Sequence, residues 1–150
     1  MYEFSEILLV EDNPNDVELI LAALSENGLI NNIYVAHDGE EALNYLLRQG
    51  AHEARPMKNP KVVLLDLKLP KVDGLEVLER IKTDPDLRTT PVVMLTSSRE
   101  EGDLLRSYDL GTNAYVVKPM SFKKFIEAVK EVGLFWAVIN QPPSTTEGKR

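Results

Sequence analysis

Five polar residues in this 150-residue chain follow directly on short apolar runs. Ile7-Leu8-Leu9-Val10 ends at Glu11-Asp12, and Val62-Val63-Leu64-Leu65 ends at Asp66. Val92-Val93-Met94-Leu95 ends at Thr96, and Ala114 to Val117 ends at Lys118. One acid after a strand is ordinarily a cap or a solvated loop charge. Three carboxylates, a hydroxyl and an ammonium at such exits form a restrictive set. Two carboxylates about 4 Å apart repel by roughly 4 kcal/mol at an effective dielectric near 20. Three of them either take up protons or hold a cation. With no Cys and two His in the chain, the available donors are oxygens, so the cation is hard. Mg2+ fits best, because it keeps several waters and needs few protein carboxylates beside a phosphate oxygen. Lys118 and Thr96 would then meet the other oxygens of a phosphoryl group. The implied chemistry is phosphoryl transfer onto Asp66, giving an aspartyl-phosphate.

The elements that would position these residues are legible as alternating patterns. Unbroken Val/Leu runs are the habit of strands covered on both faces of a parallel sheet. Between them lie helical stripes. Val17, Ile20, Leu21 and Leu24 share one face behind an Asn13-Pro14 start, and Ala42, Leu43, Leu46 and Leu47 share another. Leu75, Leu78 and Ile81 form a third stripe, opened by Gly74. Arg99 to Leu110 reads as a weak helix, with Leu104, Leu105 and Tyr108 its only large inward candidates. Ser121 caps a last helix running towards Ile139. Ile33 to Ala36 supplies a fifth strand. This alternation predicts an α/β fold, a five-stranded parallel doubly wound sheet with helices on both faces. Asp66 would then lie at the carboxyl edge, where open α/β sheets gather their chemistry. The segment from Gly50 to Pro60 reads as an exposed loop, with His37 and His52 as surface residues. Residues 1–140 are expected to form one domain and 141–150 a flexible tail, with nothing after Ile139 to serve as an output domain.

Bulk properties narrow the class. A net charge of −7 argues against nucleic acid as a partner. No apolar run approaches the roughly 18 residues of a membrane span, and the first residues lack the apolar core of a signal peptide. A cytoplasmic protein is expected.

The residues Glu11-Asp12, Leu65-Asp66-Leu67-Lys68-Leu69-Pro70 with Asp73-Gly74, Thr96-Ser97 and Lys118-Pro119 together resemble the receiver domain of two-component response regulators. The resemblance extends from about Ile7 to Ile139. It implies the flavodoxin-like strand order 2-1-3-4-5, and Asp66 as acceptor of a phosphoryl group from a sensor histidine kinase. It further implies Asp12 and Asp66 as direct Mg2+ ligands, the Lys68 backbone carbonyl as a third, and Glu11 acting through water. Thr96 and Lys118 would contact the phosphoryl group, Thr96 and Tyr115 would switch, and the Lys118–Pro119 bond would be cis. Val10 to Asp16, Pro85-Asp86-Leu87, Ser107-Tyr108 and Phe135-Trp136 are similar to the single-domain regulators paired with bacterial and cyanobacterial phytochromes. That narrower likeness implies a phytochrome kinase as partner and a homodimer. Glu11 in place of Asp, Ser97 after Thr96 and Lys68 two residues after the acceptor are departures that bear on phosphoryl lifetime.

Three rival functions fit less well. An Asp-nucleophile phosphatase would need an acid where Lys68 stands. A nucleotide-binding module would need a phosphate-cradling loop, and Glu11-Asp12-Asn13-Pro14 is acidic and lacks Gly. A DNA-binding regulator has the wrong charge. The last helix carries a final expectation. At 100° per residue, Phe122, Phe125, Ile126, Val129, Gly133 and Trp136 fall on one arc that would face the sheet. Val132, Phe135 and Ile139 extend it on one flank, beyond what a single sheet needs, and are the expected dimer interface.

Overall fold

The computed structural model describes residues 6–29, 32–56 and 58–143. Strands β1 (Ile7–Val10), β2 (Ile33–Ala36), β3 (Val62–Leu65), β4 (Val92–Thr96) and β5 (Ala114–Val117) form one parallel sheet in the order β2-β1-β3-β4-β5. Helices α1 (Pro14–Ser25), α2 (Gly39–Leu47), α3 (Gly74–Thr83), α4 (Glu101–Asp109) and α5 (Phe122–Gly133) connect and cover them. The period of two along each strand divides the core. Leu8, Val10, Val63, Leu65 and Met94 meet α2 and α3 on one face. Ile7, Leu9, Val62, Leu64 and Val93 meet Ile20, Leu24, Phe125 and Val129 on the other. A sheet buried on both faces explains why its central strands read as continuous apolar runs.

Side-chain caps fix where α1, α2 and α3 begin. Asn13 Oδ1 accepts from the amides of Asn15 and Asp16, Asp38 caps α2 through Glu41 N, and Asp73 caps α3 through Leu75 N. Gly74 is required by close approach, because a Cβ there would overlap the carbonyl oxygens of Asp66 and Leu67.

Three elements differ from the sequence reading. Leu104, Leu105 and Tyr108 of α4 point outward, Leu105 being 57% exposed, and the helix instead buries Ser107. The Ser107 hydroxyl is satisfied by donating to the Asp103 carbonyl, so a small polar residue takes the inner position and the large apolar ones are left outside. On α5, Phe122 is 65% exposed. It is the first helical residue, beyond the carboxyl edge, where the sheet no longer reaches it. The helix then continues as a π-helix over Leu134–Ile139. Its wider turn moves these residues off a 100° wheel, yet Phe135 and Ile139 remain exposed while Ala137 is buried.

The segment between α2 and β3 is not simply an exposed loop. Gly50–His52 forms a 3-10 turn and both His52 and Arg55 are buried, whereas His37 is exposed. The Arg55 guanidinium lies 4.3 Å over the Tyr45 ring. Its Nε donates to Tyr45 O at 2.7 Å and its Nη2 to Leu46 O at 3.3 Å. Arg55 thereby brings charged donors to carbonyls in the last turn of α2, where helical bonds run out and Tyr45 O otherwise has only a long bond from Arg48 N at 3.3 Å. Arg55→Met is expected to cost about 2–4 kcal/mol in urea unfolding, from these bonds and the lost cation–π contact. A loss under about 1 kcal/mol would mean that water replaces the guanidinium without penalty. Of the expected tail, Gln141 to Pro143 have no regular structure, and 144–150 lie outside the described residues.

Candidate functional site

Backbone bonds carry the sheet ladder one residue past its strands and so fix the residues at the edge. Glu11 N donates to Ala36 O at 3.0 Å, Asp66 N to Val10 O at 3.1 Å and Lys118 N to Thr96 O at 2.8 Å. Each polar side chain therefore starts from a pinned backbone.

The structure brings together Glu11, Asp12 and Asp66, with one carboxylate oxygen from each lying within 4.8 Å of the others. Lys118, 9% exposed at its side chain, reaches across to them. Its Nζ lies 2.7 Å from Glu11 Oε1, 2.8 Å from Asp16 Oδ2 and 3.5 Å from Asp66 Oδ2. Asp66 Oδ1 accepts from Leu67 N at 2.7 Å. Thr96 is buried, and its Oγ1 accepts from Ser98 N at 3.2 Å. The Tyr115 hydroxyl donates to Ser98 O at 3.2 Å. A cavity of about 360 Å3 opens beside Asp66 and Thr96, lined also by Lys68, Ser97, Ser98 and Arg99.

Asp16 was not singled out in the sequence as a site residue. The helix α1, starting only four residues after the end of β1, sets its first turn over the sheet edge. One expectation is overturned: no described peptide bond is cis, so Lys118–Pro119 is trans. The trans form is the intrinsically favoured one for an X–Pro bond by about 0.5–1 kcal/mol, and from it Lys118 still reaches both Glu11 and Asp16.

The electrostatics disclose a site short of positive charge. Burial raises the Glu11 carboxyl from its ordinary 4.5 to about 7, and the nearby Asp66 carboxylate pushes the same way against the bond from Lys118. Burial disfavours the Lys118 ammonium, but Asp16, Glu11 and Asp66 outweigh it and hold its pKa above the ordinary value. An all-oxygen group under such repulsion fits a hard divalent cation. Since the folded protein holds the Glu11 proton more tightly, this contribution to stability is fully present below about pH 4.5 and lost as pH rises to about 7. In chelator, stability is expected to fall by about 1–3 kcal/mol between pH 5 and 8, and millimolar Mg2+ to restore it at pH 8. Equal melting temperatures at the two pH values in chelator would contradict this.

The family model for the response regulator receiver domain matches residues 7–130. Among solved structures, the bacteriophytochrome response regulator AtBRR is 58% identical, with a TM-score of 0.72 over 93% of this chain and 100% of that one. The phosphorylated cyanobacterial phytochrome response regulator RcpA is 39% identical, with a TM-score of 0.87 over 95% and 100%. Response regulator Rcp1 of Synechocystis is 41% identical over 87% of both chains. Its Mn2+-bound structure aligns with a TM-score of 0.86 over 92% of this chain and 98% of that one.

Proposed function

The chain belongs to the response regulator receiver domain family, and from that premise we propose that it takes a phosphoryl group from a histidine kinase onto Asp66 and signals by changing shape. The observation that carries the reading is Asp66 at the centre of the edge, with Glu11 and Asp12 beside it and Lys118 3.5 Å away.

Asp12 and Asp66 would hold Mg2+, with the Lys68 carbonyl, and Glu11 would act through water. The ion when bound supplies positive charge against the oxygens of the entering phosphoryl group. Asp66 Oδ2, free of the Leu67 amide that occupies Oδ1, attacks phosphorus. The new P–O bond forms as the P–N bond to the kinase imidazole breaks. Lys118 then meets a phosphoryl oxygen, and Thr96 leaves the Ser98 amide for another. Ser98 is the point where that movement spreads. Its carbonyl accepts from Tyr115, and its hydroxyl donates to Asp103 of α4 at 2.6 Å. Loss of the Thr96 contact loosens both, and α4, which buries no large apolar side chain, is easily moved. Signalling, not turnover of a separate substrate, is the output; the chain catalyses only its own phosphorylation and dephosphorylation.

The likeness to AtBRR, RcpA and Rcp1 supports a phytochrome-type kinase as donor. Phosphotransfer profiling against the histidine kinases of the source genome tests this. The expected result is fastest transfer from a phytochrome kinase, and fast transfer only from other kinases would overturn it. No helix among the described residues is long and apolar enough to cross a membrane, in keeping with action in the cytoplasm and away from lipid. The charge of −7 supports protein partners over nucleic acid.

A homodimer completes the reading. Phe135 is 45% exposed, and Leu134, Val138 and Ile139 beside it are exposed as well, while Val132 is partly buried against the core. Covering such side chains contributes about 25 cal/mol per Å2, before the loss of association entropy. Phe135→Asp is expected to weaken dimerisation at least about tenfold in sedimentation. A parent that is monomeric at tens of micromolar, or a variant that dimerises equally, would contradict it.

A further inference from the structure

Lys118 stands among carboxylates of unequal kind. Glu11 and Asp66 belong to the group that would hold a cation, and Asp16 does not. Asp16 is the third residue of α1, set in place by the Asn13 cap on its amide. Its Oδ2 takes the ammonium at 2.8 Å, whereas Asp66 Oδ2 stands at 3.5 Å, beyond ordinary hydrogen-bond range. We propose that Asp16 is a positioning residue for the phosphoryl-transfer site, drawing the Lys118 ammonium towards α1 and off the attacking oxygen of Asp66. The inference rests on the reading of Asp66 as phosphoacceptor.

Two effects of opposite sense follow. Before transfer, an ammonium released by Asp16 keeps its 2.7 Å bond to Glu11 and turns the freed N–H to the next carboxylate, Asp66, at 3.5 Å. A direct pair there engages the lone pairs of Oδ2 and slows its attack. After transfer, Asp66 is an acyl phosphate and the charge has moved to the phosphoryl oxygens. Asp16 now competes with those oxygens for Lys118, so removing it tightens their hold on the ammonium and retards hydrolysis. A carboxylate that served only the helix N-terminus would produce neither the tighter contact nor the longer lifetime.

The test uses the full chain as Asp16→Asn and Asp16→Glu, with Glu18→Gln as a control of equal charge change at an exposed position of the same helix. In a crystal structure of metal-free Asp16→Asn, Lys118 Nζ is expected within about 2.9 Å of Asp66 Oδ2, and an unmoved Lys118 would overturn the proposal. With acetyl phosphate and saturating Mg2+, labelling of Asp16→Asn is expected to slow by about three- to tenfold, while the phosphoryl half-life lengthens by a similar factor. Asp16→Glu is expected to return towards the parent, and Glu18→Gln to stay within about twofold on both measures. A half-life in Asp16→Asn equal to or shorter than the parent's would also overturn the proposal. An unlabelled parent would instead refute the role of Asp66, and the crystallographic arm would still decide the role of Asp16.

Discussion

Asp66→Asn is expected to abolish phosphoryl acceptance, by more than about a thousandfold, while leaving the fold intact. The amide is nearly isosteric with the carboxylate, so Leu67 N keeps an oxygen acceptor at the place of Oδ1. What disappears is the anionic nucleophile and one of the grouped carboxylates. The electrostatic consequence has a definite sign. Asp66 is one of the groups that raise the Glu11 carboxyl, so the variant relieves a repulsion. In chelator at pH 8 it is therefore expected to equal the parent in stability or exceed it by about 1 kcal/mol. Labelling with acetyl phosphate, beside thermal unfolding in chelator, checks both. Labelling of the variant at a tenth of the parental rate would place the acceptor elsewhere, and a large loss of stability would assign Asp66 a structural role.

Gly74→Ala is expected to cost about 3 kcal/mol or more. The clash is with backbone on both sides. The Gly74 amide donates to Leu67 O at 2.8 Å, which draws the start of α3 onto the chain just after β3. A methyl group there meets the carbonyl oxygens of Asp66 and Leu67, which cannot turn aside as a flexible side chain would. Either α3 lifts from the sheet, exposing Leu75 and Leu78, or the Asp66 backbone shifts and loses its pinned position on β1. In both cases the melting temperature falls by about 6–12 °C for a chain of this size. Labelling should also fall, because the nucleophile is displaced. A parental melting temperature would show that α3 can draw back from the end of β3 without cost.

The residues of the site were legible because two constraints acted on the same positions. A strand covered on both faces must be apolar until it ends, so Glu11, Asp66, Thr96 and Lys118 stand out as abrupt changes in character. Asp16 lacks that contrast. It lies among ordinary polar residues of a first helical turn, and only three dimensions bring it over the edge. Arg55 was missed for a related reason. A charged residue in a Pro-bounded polar stretch reads as solvated, and the ring and carbonyls that bury it come from α2. In α4, Leu104, Leu105 and Tyr108 are the large apolar residues and suggest an inward face, but the period of the helix turns Ser107 to the sheet and leaves Leu105 and Tyr108 outside. The excess apolar flank of the last helix was visible as a wheel, although the π turn after Gly133 changes its phase.

Reductive trapping identifies the acceptor residue chemically. The chain is phosphorylated with acetyl phosphate in Mg2+, and borohydride then reduces the acyl phosphate, converting the acceptor aspartate to homoserine. Peptide mapping by mass spectrometry locates it. Homoserine is expected at position 66 alone, formed only when Mg2+ is present. Homoserine at Asp12 or Asp16, or equal conversion of Asp66 in chelator, would contradict it.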